Sequence, residues 1–176
     1  MAVFHLPGHP LPALTILQST DRGEPEVDLF LLSLSRPILL CTFSYPTQVR
    51  NKRQEIDCSD SHPSSLQLLS FKSQIAALKS REPNLLVYGL STYPEECQSY
   101  VHKKLGLPFP LLSDSKGTFS QQLELPSYEQ DGVRLLERCV LLLREGQVTR
   151  VDYPLSDPSK AALRAEYMLQ RDSGQE

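Results

Sequence analysis

The sequence has no CxxC pair, no excess of basic charge and no apolar run longer than a β-strand, and each absence excludes a class of function. Its four cysteines are Cys41, Cys58, Cys97 and Cys139, and their spacing fits neither a dithiol redox motif nor a zinc ribbon. Eighteen basic and twenty-one acidic residues leave a net charge of −3, which argues against nucleic-acid binding driven by bulk electrostatics. The longest apolar runs, Leu29 to Leu32, Ile38 to Cys41 and Cys139 to Leu143, are too short for a membrane-spanning helix. Met1 to Leu11 carries no Lys or Arg and no apolar core of a leader, so no secretory signal and a cytoplasmic setting are expected. Internal repeats and low-complexity tracts are absent. His5 and His9 have the spacing of a helical metal chelate, but Pro7, Gly8 and Pro10 forbid a helix there, so no metal or other cofactor is expected.

What is present is an ordinary soluble balance: 176 residues, 40% hydrophobic and 22% charged. A chain of this size folds to about 8,600 Å² of accessible surface from about 29,000 Å² extended, so about 70% can be buried without a disulfide or metal staple. One domain over 1–176 is expected, with an extended arm at 1–12, a polar insertion at 47–60 and a tail at 171–176. Cys41 and Cys139 lie inside strand-like apolar runs and read as small buried hydrophobes. Cys58, in the polar stretch Ile56-Asp57-Cys58-Ser59-Asp60-Ser61, and Cys97, opening a helix, are expected to be the reachable thiols. The carboxylates beside Cys58 raise its pKa, the wrong direction for a reactive thiolate.

The patterning predicts a short strand over Leu14 to Leu17, a turn at Asp21 to Pro25, and a short apolar segment from Val27 to Leu34. A strand buried on both faces follows at Pro37 to Phe43. After Pro46 come about fifteen residues too polar for the core. From Ser64 the period turns helical: Leu68, Phe71, Ile75 and Leu78 form one stripe, with Ser61 or Ser64 as the cap and Pro83 closing the helix. A buried strand at Asn84 to Leu90, a helix at Pro94 to Leu105 before Gly106, a brief strand at Leu111 to Asp114 and a short helix at Thr118 to Leu123 follow. Val133 to Leu143 and Gln147 to Tyr153 read as a hairpin across Arg144 to Gln147. Asp157-Pro158-Ser159 caps a terminal helix. Strands alternating with helices, then a hairpin and a last helix, give an α/β protein with a central mixed sheet flanked by helices. The order is that of the thioredoxin fold. A flavodoxin-like sheet would end on another crossover helix instead of the hairpin.

At the level of residues, Pro12-Ala-Leu-Thr15, Arg36-Pro37-Ile-Leu-Leu with Tyr45-Pro46, Tyr88-Gly-Leu-Ser91, Leu107-Pro-Phe-Pro-Leu-Leu-Ser-Asp114 and Arg138 before Cys-Val-Leu-Leu-Leu occur in order along the chain. Together they resemble the peroxiredoxins of the AhpC/TSA superfamily, in the bacterioferritin-comigratory or Q-type branch. The stretch Leu107 to Asp114 is the most specific. The resemblance implies a peroxiredoxin-type thioredoxin fold and, by default, a homodimer. The family's site is Pro-x-x-x-Thr-x-x-Cys plus a later arginine. There, a helix N-terminus and the arginine stabilise a thiolate, a hydroxyl orients the peroxide, and the resulting sulfenic acid is resolved by a second thiol.

Here the motif is interrupted. Aligning Gln67, Phe71 and Lys72 with the Q-type helix puts Ser64 at the nucleophilic cysteine and Ser61 at the threonine. Leu69 falls where many members carry a resolving cysteine. Pro46 matches the motif proline after an insertion of eleven residues, and Arg138 is retained. An unassisted serine hydroxyl is too weak an acid to replace a thiol of pKa about 8.5. The favoured expectation is a repurposed, cofactor-independent enzyme acting on an oxygenated small molecule by isomerisation, dehydration or cyclisation, of the kind found in specialised metabolism. Ser64, Ser61 and Arg138 would stabilise an enolate or carboxylate, with His62 as a general acid or base. Tyr45 and Pro46 would wall the pocket, and Arg50 and Arg53, with Lys52, would form a lid for an anionic substrate. Glu124, Tyr128, Glu129 and Asp131 are weaker acid–base candidates. The alternatives are a thiol peroxidase using Cys58, resolved by Cys97 and fed by an external thiol reductant, and a non-catalytic binding module.

Overall fold

A computed structural model describes residues 3–19, 25–50 and 53–170 of the chain. In chain order the elements are β1 (Thr15–Ser19), β2 (Glu26–Asp28), α1 (Leu29–Ser33), β3 (Ile38–Thr42), β4 (Thr47–Arg50), β5 (Arg53–Ile56), α2 (Pro63–Arg81), β6 (Leu86–Ser91), α3 (Glu95–Leu105), β7 (Leu111–Ser113) and α4 (Thr118–Gln122). They are followed by β8 (Ser127–Gln130), β9 (Val133–Leu136), β10 (Cys139–Arg144), β11 (Gln147–Asp152), a 3-10 turn (Pro158–Lys160) and α5 (Ala161–Gln170). The turn expected at Asp21 to Pro25 lies, but for Pro25, outside the described residues, as does the tail 171–176.

The main sheet has seven strands in the order β11-β10-β3-β6-β7-β1-β2. β3, β6 and β7 run parallel to one another, while the pairs on either side of them are antiparallel. The mixed α/β architecture read from the sequence is therefore the one observed. Alternation along a strand sends successive side chains to opposite faces. Leu39, Cys41 and Phe43 join the core layer beneath α2, α3 and α5, whereas Ile38 and Leu40 join the other layer. That second layer is covered by α1, α4 and the N-terminal arm, through Leu29, Phe119, Leu6 and Leu11. The arm, expected to be extended, instead makes two successive turns, the Leu6 N–H on the Val3 carbonyl and the His9 N–H on the Leu6 carbonyl with Gly8 at φ 85°, before it bridges the edge of β11 at Pro10 and Gln147. Cys41 and Cys139 are fully buried, one in each layer.

Three features differ from the sequence-based expectations. The polar stretch after Pro46 is not simply a loop: β4 and β5 pair antiparallel, from Thr47↔Ile56 to Arg50↔Arg53. Its strands lack the alternating apolar pattern because the hairpin forms its own small sheet. Its end is anchored in the core by Ile56 and Cys58. The long strand expected at Val133 to Leu143 is broken at Glu137 and Arg138 into β9 and β10, and β9 turns away to pair with β8. Finally, neither Ser61 nor Ser64 caps α2. Pro63 opens the helix, His62 takes the extended conformation that a following proline favours, and the His62 ring accepts from the Ser64 N–H at the N-terminus.

Candidate functional site

The C-terminal end of β3 gathers the polar side chains, at the rim where ligands of α/β sheets bind. Two placements bring them there. The α2 N-terminus follows the β3 end after the hairpin, and the β3–β10 register pairs Cys139 with Thr42, so Arg138 stands just beyond the end of β3. Thr42 fixes that register. Its hydroxyl accepts from the Cys139 N–H at 3.0 Å and donates to the Glu137 carbonyl at 2.6 Å. Gln67, on the first turns of α2, donates to the Thr42 carbonyl at 3.2 Å and tethers the helix to the same strand end.

Within this frame Ser64 and Arg138 meet. The Ser64 hydroxyl donates to the Ser44 carbonyl at 2.5 Å and accepts from Arg138 Nη1 at 3.4 Å, and Ser64 itself is fully buried. Among the described residues Ser64 is the only side-chain hydrogen-bond partner of Arg138, so the rest of the guanidinium fork is uncommitted. His62 is half-buried and close enough to Arg138 to feel its charge. Burial first, then the Arg138 cation, lowers the His62 pKa from its usual value, with Asp57 opposing. The neutral imidazole is favoured. Because Nδ1 accepts from the Ser64 N–H at 3.1 Å, the remaining proton sits on Nε2. His62 therefore presents a donor, and the base role expected for it does not fit this tautomer.

Other expected site residues are placed differently. Ser61 is exposed at the turn before the helix and makes no hydrogen bond with Ser64. Tyr45 is fully buried, not a pocket wall. Its hydroxyl bonds Ser65 Oγ at 2.9 Å and its ring lies 4.8 Å from that of His62. Pro46 is exposed. The side chains of Arg50 and Arg53, and Lys52 altogether, lie outside the described residues.

The thiols form no second centre. Cys58, expected to be reachable, is fully buried because its loop packs under the core layer of α3. Burial raises its pKa; Lys104 opposes this, while Asp57 and Asp60 add to it. Cys97 is half-buried, and burial and Glu96 raise its pKa. Both are free thiols. Burial also pushes Cys139 up to about 12. Among the described residues no cluster of His, Cys, Asp and Glu is arranged to hold a metal ion, and no helix is long and apolar enough to cross a membrane.

Sequence reasoning missed the residues that hold the loop after β3. Tyr93 Oη accepts from the Tyr45 N–H at 2.7 Å and donates to the Tyr45 carbonyl at 2.5 Å. Ser44 Oγ bonds Tyr128 Oη at 2.8 Å. No local signal marks Tyr93 or Ser44, since their partners are 48 and 84 residues away. Glu124, Glu129 and Asp131 are exposed. Two grooves lie elsewhere, a cavity of about 530 Å³ between β11 and α5 and one of about 360 Å³ beside β1 and β7.

No family model matches the sequence, and no curated protein matches it at a significant level. Solved structures do match. The bacterioferritin comigratory protein of Xanthomonas campestris, described for its alkyl peroxide reduction activity, aligns with a TM-score of 0.70 at 18% identity, covering 94% of this chain and 98% of that one. Peroxidoxin BcpB from Mycobacterium tuberculosis gives 0.69 at 18%, covering 92% and 94%. Reduced Prx3 of Vibrio vulnificus in complex with hydrogen peroxide gives 0.69 at 17%, covering 95% and 97%. The chain has the fold of these peroxiredoxin structures, as the sequence resemblance implied.

Proposed function

We propose that this chain keeps the peroxiredoxin fold without its thiol chemistry, with Ser64 standing at the position of the nucleophilic cysteine. In this reading it is a cofactor-independent enzyme acting on an oxygenated small molecule. The observation that carries the proposal is the meeting of Arg138 and His62 at Ser64: the guanidinium, with no other side-chain hydrogen-bond partner among the described residues, reaches its hydroxyl, and the neutral His62 ring holds its N–H. A cation and a hydrogen-bond donor that both border Ser64 can stabilise a carboxylate or a developing enolate. They suit isomerisation, dehydration or cyclisation through an enol whose α-proton passes to solvent water, with Arg138 and His62 holding the oxyanion left behind. Ser64 is a positioning group here: its proton is given to the Ser44 carbonyl and its oxygen steadies Arg138. A homodimer in the cytoplasm completes the proposal.

The competing reading is a thiol peroxidase using Cys58, resolved by Cys97 and recharged by an external thiol. The activity described for the Xanthomonas protein favours it; the burial and raised pKa of Cys58 oppose it. The deciding experiment follows peroxide consumption with dithiothreitol and intact mass, on wild type and Cys58→Ser, alongside deuterium uptake from solvent into acetoacetate. The expected result is no peroxide turnover, four unchanged thiols, and deuterium uptake that falls at least about tenfold in Arg138→Gln. Turnover lost in Cys58→Ser would establish the peroxidase. Acetoacetate binding without deuterium uptake would make the site a binding module.

A further inference from the structure

Ser44, whose carbonyl belongs to the Ser64–Arg138 corner, makes a second polar contact that the proposed function does not use. Tyr128 lies on β8, in the hairpin that β8 forms with β9 outside the main sheet. Tyr128 is 39% exposed, yet its hydroxyl ends on the Oγ of Ser44, which is 2% exposed. Ser44 thus faces two ways: its carbonyl takes the Ser64 proton at 2.5 Å and its hydroxyl meets Tyr128 at 2.8 Å. The hairpin is held independently of this bond. Arg134 on β9 donates to Ser120 Oγ on α4 at 2.9 Å, and its carbonyl accepts from Thr92 Oγ1 at 2.7 Å, while its bond to Ser127 Oγ at 3.0 Å ties β9 to β8 within the hairpin. With the hairpin anchored elsewhere, the Tyr128–Ser44 bond is not needed to keep it in place.

A buried serine needs one partner, and this one has taken it from a phenol at the solvent boundary. Each of the two hydroxyls donates and accepts, so a ligand oxygen entering between them leaves both satisfied. We propose that Tyr128 and Ser44 form a hydroxyl-recognising contact of the site, selecting ligands that carry a hydroxyl or carbonyl oxygen in addition to the oxyanion held by Arg138. This rests on the reading of Arg138 as an oxyanion-binding group, and it narrows the substrate class to bifunctional oxygenated acids such as hydroxy or keto acids.

The test titrates two probes that differ only in that second oxygen, butyrate and 3-hydroxybutyrate, into the full chain while the Arg138 Nε–Hε resonance is followed by NMR. Wild type is expected to bind 3-hydroxybutyrate about three- to tenfold more tightly, the worth of one neutral hydrogen bond. Tyr128→Phe is expected to bring the ratio to about one. Because Tyr128 is partly exposed and only its hydroxyl is removed, the variant keeps the fold, and a melting transition that stays cooperative, lowered by no more than the loss of one hydrogen bond, checks this. Both probes binding with a ratio that Tyr128→Phe does not alter overturns the assignment and leaves the Arg138 site standing. Failure of both probes to move the Arg138 resonance overturns the Arg138 reading, and the hydroxyl contact with it.

Discussion

His62 shows how one side chain is set by its neighbours. Pro63 makes it the cap, the cap takes Nδ1, and burial beside Arg138 keeps the ring neutral. The effect of pH on stability follows in sign. The unfolded histidine takes up its proton near pH 6.5, whereas the folded one does so only at lower pH. Between those values the unfolded chain binds more protons, so stability falls as pH drops, and the loss levels off below the folded value. Protonation also removes the Nδ1 acceptor and places a cation against Arg138, with Asp57 giving partial relief. His62→Asn keeps a capping acceptor without a titrating ring. Its chemical-denaturation midpoint is expected to fall less than that of wild type between about pH 7.5 and about pH 5. Equal falls would show that His62 does not carry the acid sensitivity.

At the scale of elements, the segment from Phe43 to Pro46 decides what the α2 N-terminus faces. It has no regular structure of its own. Tyr93 satisfies both backbone groups of Tyr45, and Tyr45 in turn reaches Ser65 on α2. Removing the Tyr93 hydroxyl leaves a buried N–H and a buried carbonyl without that partner, which costs about 1–3 kcal/mol. Tyr93→Phe is therefore expected to lower stability by about that amount in urea unfolding. It should also weaken butyrate binding at Arg138, because the Ser44 carbonyl that orders Ser64 is the neighbour of the residue released. A stability loss with unchanged probe affinity would restrict Tyr93 to packing. The period of α2 and the Pro94 and Gly106 boundaries of α3 were legible because they are local. The β4–β5 hairpin was not, since its own small sheet gives no alternating apolar pattern.

For the whole molecule, the tight contact between adjacent parallel strands constrains the middle of the sheet. Gly89 on β6 pairs with Leu111 on β7. A Cβ added there would lie 2.4 Å from Leu111 Cδ2 and 3.2 Å from Phe43 Cε1. Gly89→Ala overpacks the layer that supports the β3 end, and a loss of about 1–3 kcal/mol is expected from thermal or urea unfolding. No measurable loss would mean that Leu111 and Phe43 have room to move aside. The seven-stranded sheet also explains why distant segments meet. Arg138 and Ser64 are 74 residues apart, and the antiparallel register of β10 on β3 closes that distance.

The sequence by itself determined the mixed α/β architecture, the buried strands, the burial of Cys41 and Cys139 and the proximity of Ser64 to Arg138, the last through family resemblance. Strand and helix periodicity are local, and a motif order preserved along the chain carries its own topology. Only the tertiary structure decided that Cys58 is buried, that His62 rather than a serine caps α2, that the strand before Arg138 breaks, and that Tyr93 and Tyr128 converge on the Ser44–Tyr45 segment. Each of these depends on a partner brought in from another element. A thiol in a polar stretch is exposed or buried according to what packs on its loop, and a hydroxyl joins a site only when the fold supplies the atom it bonds.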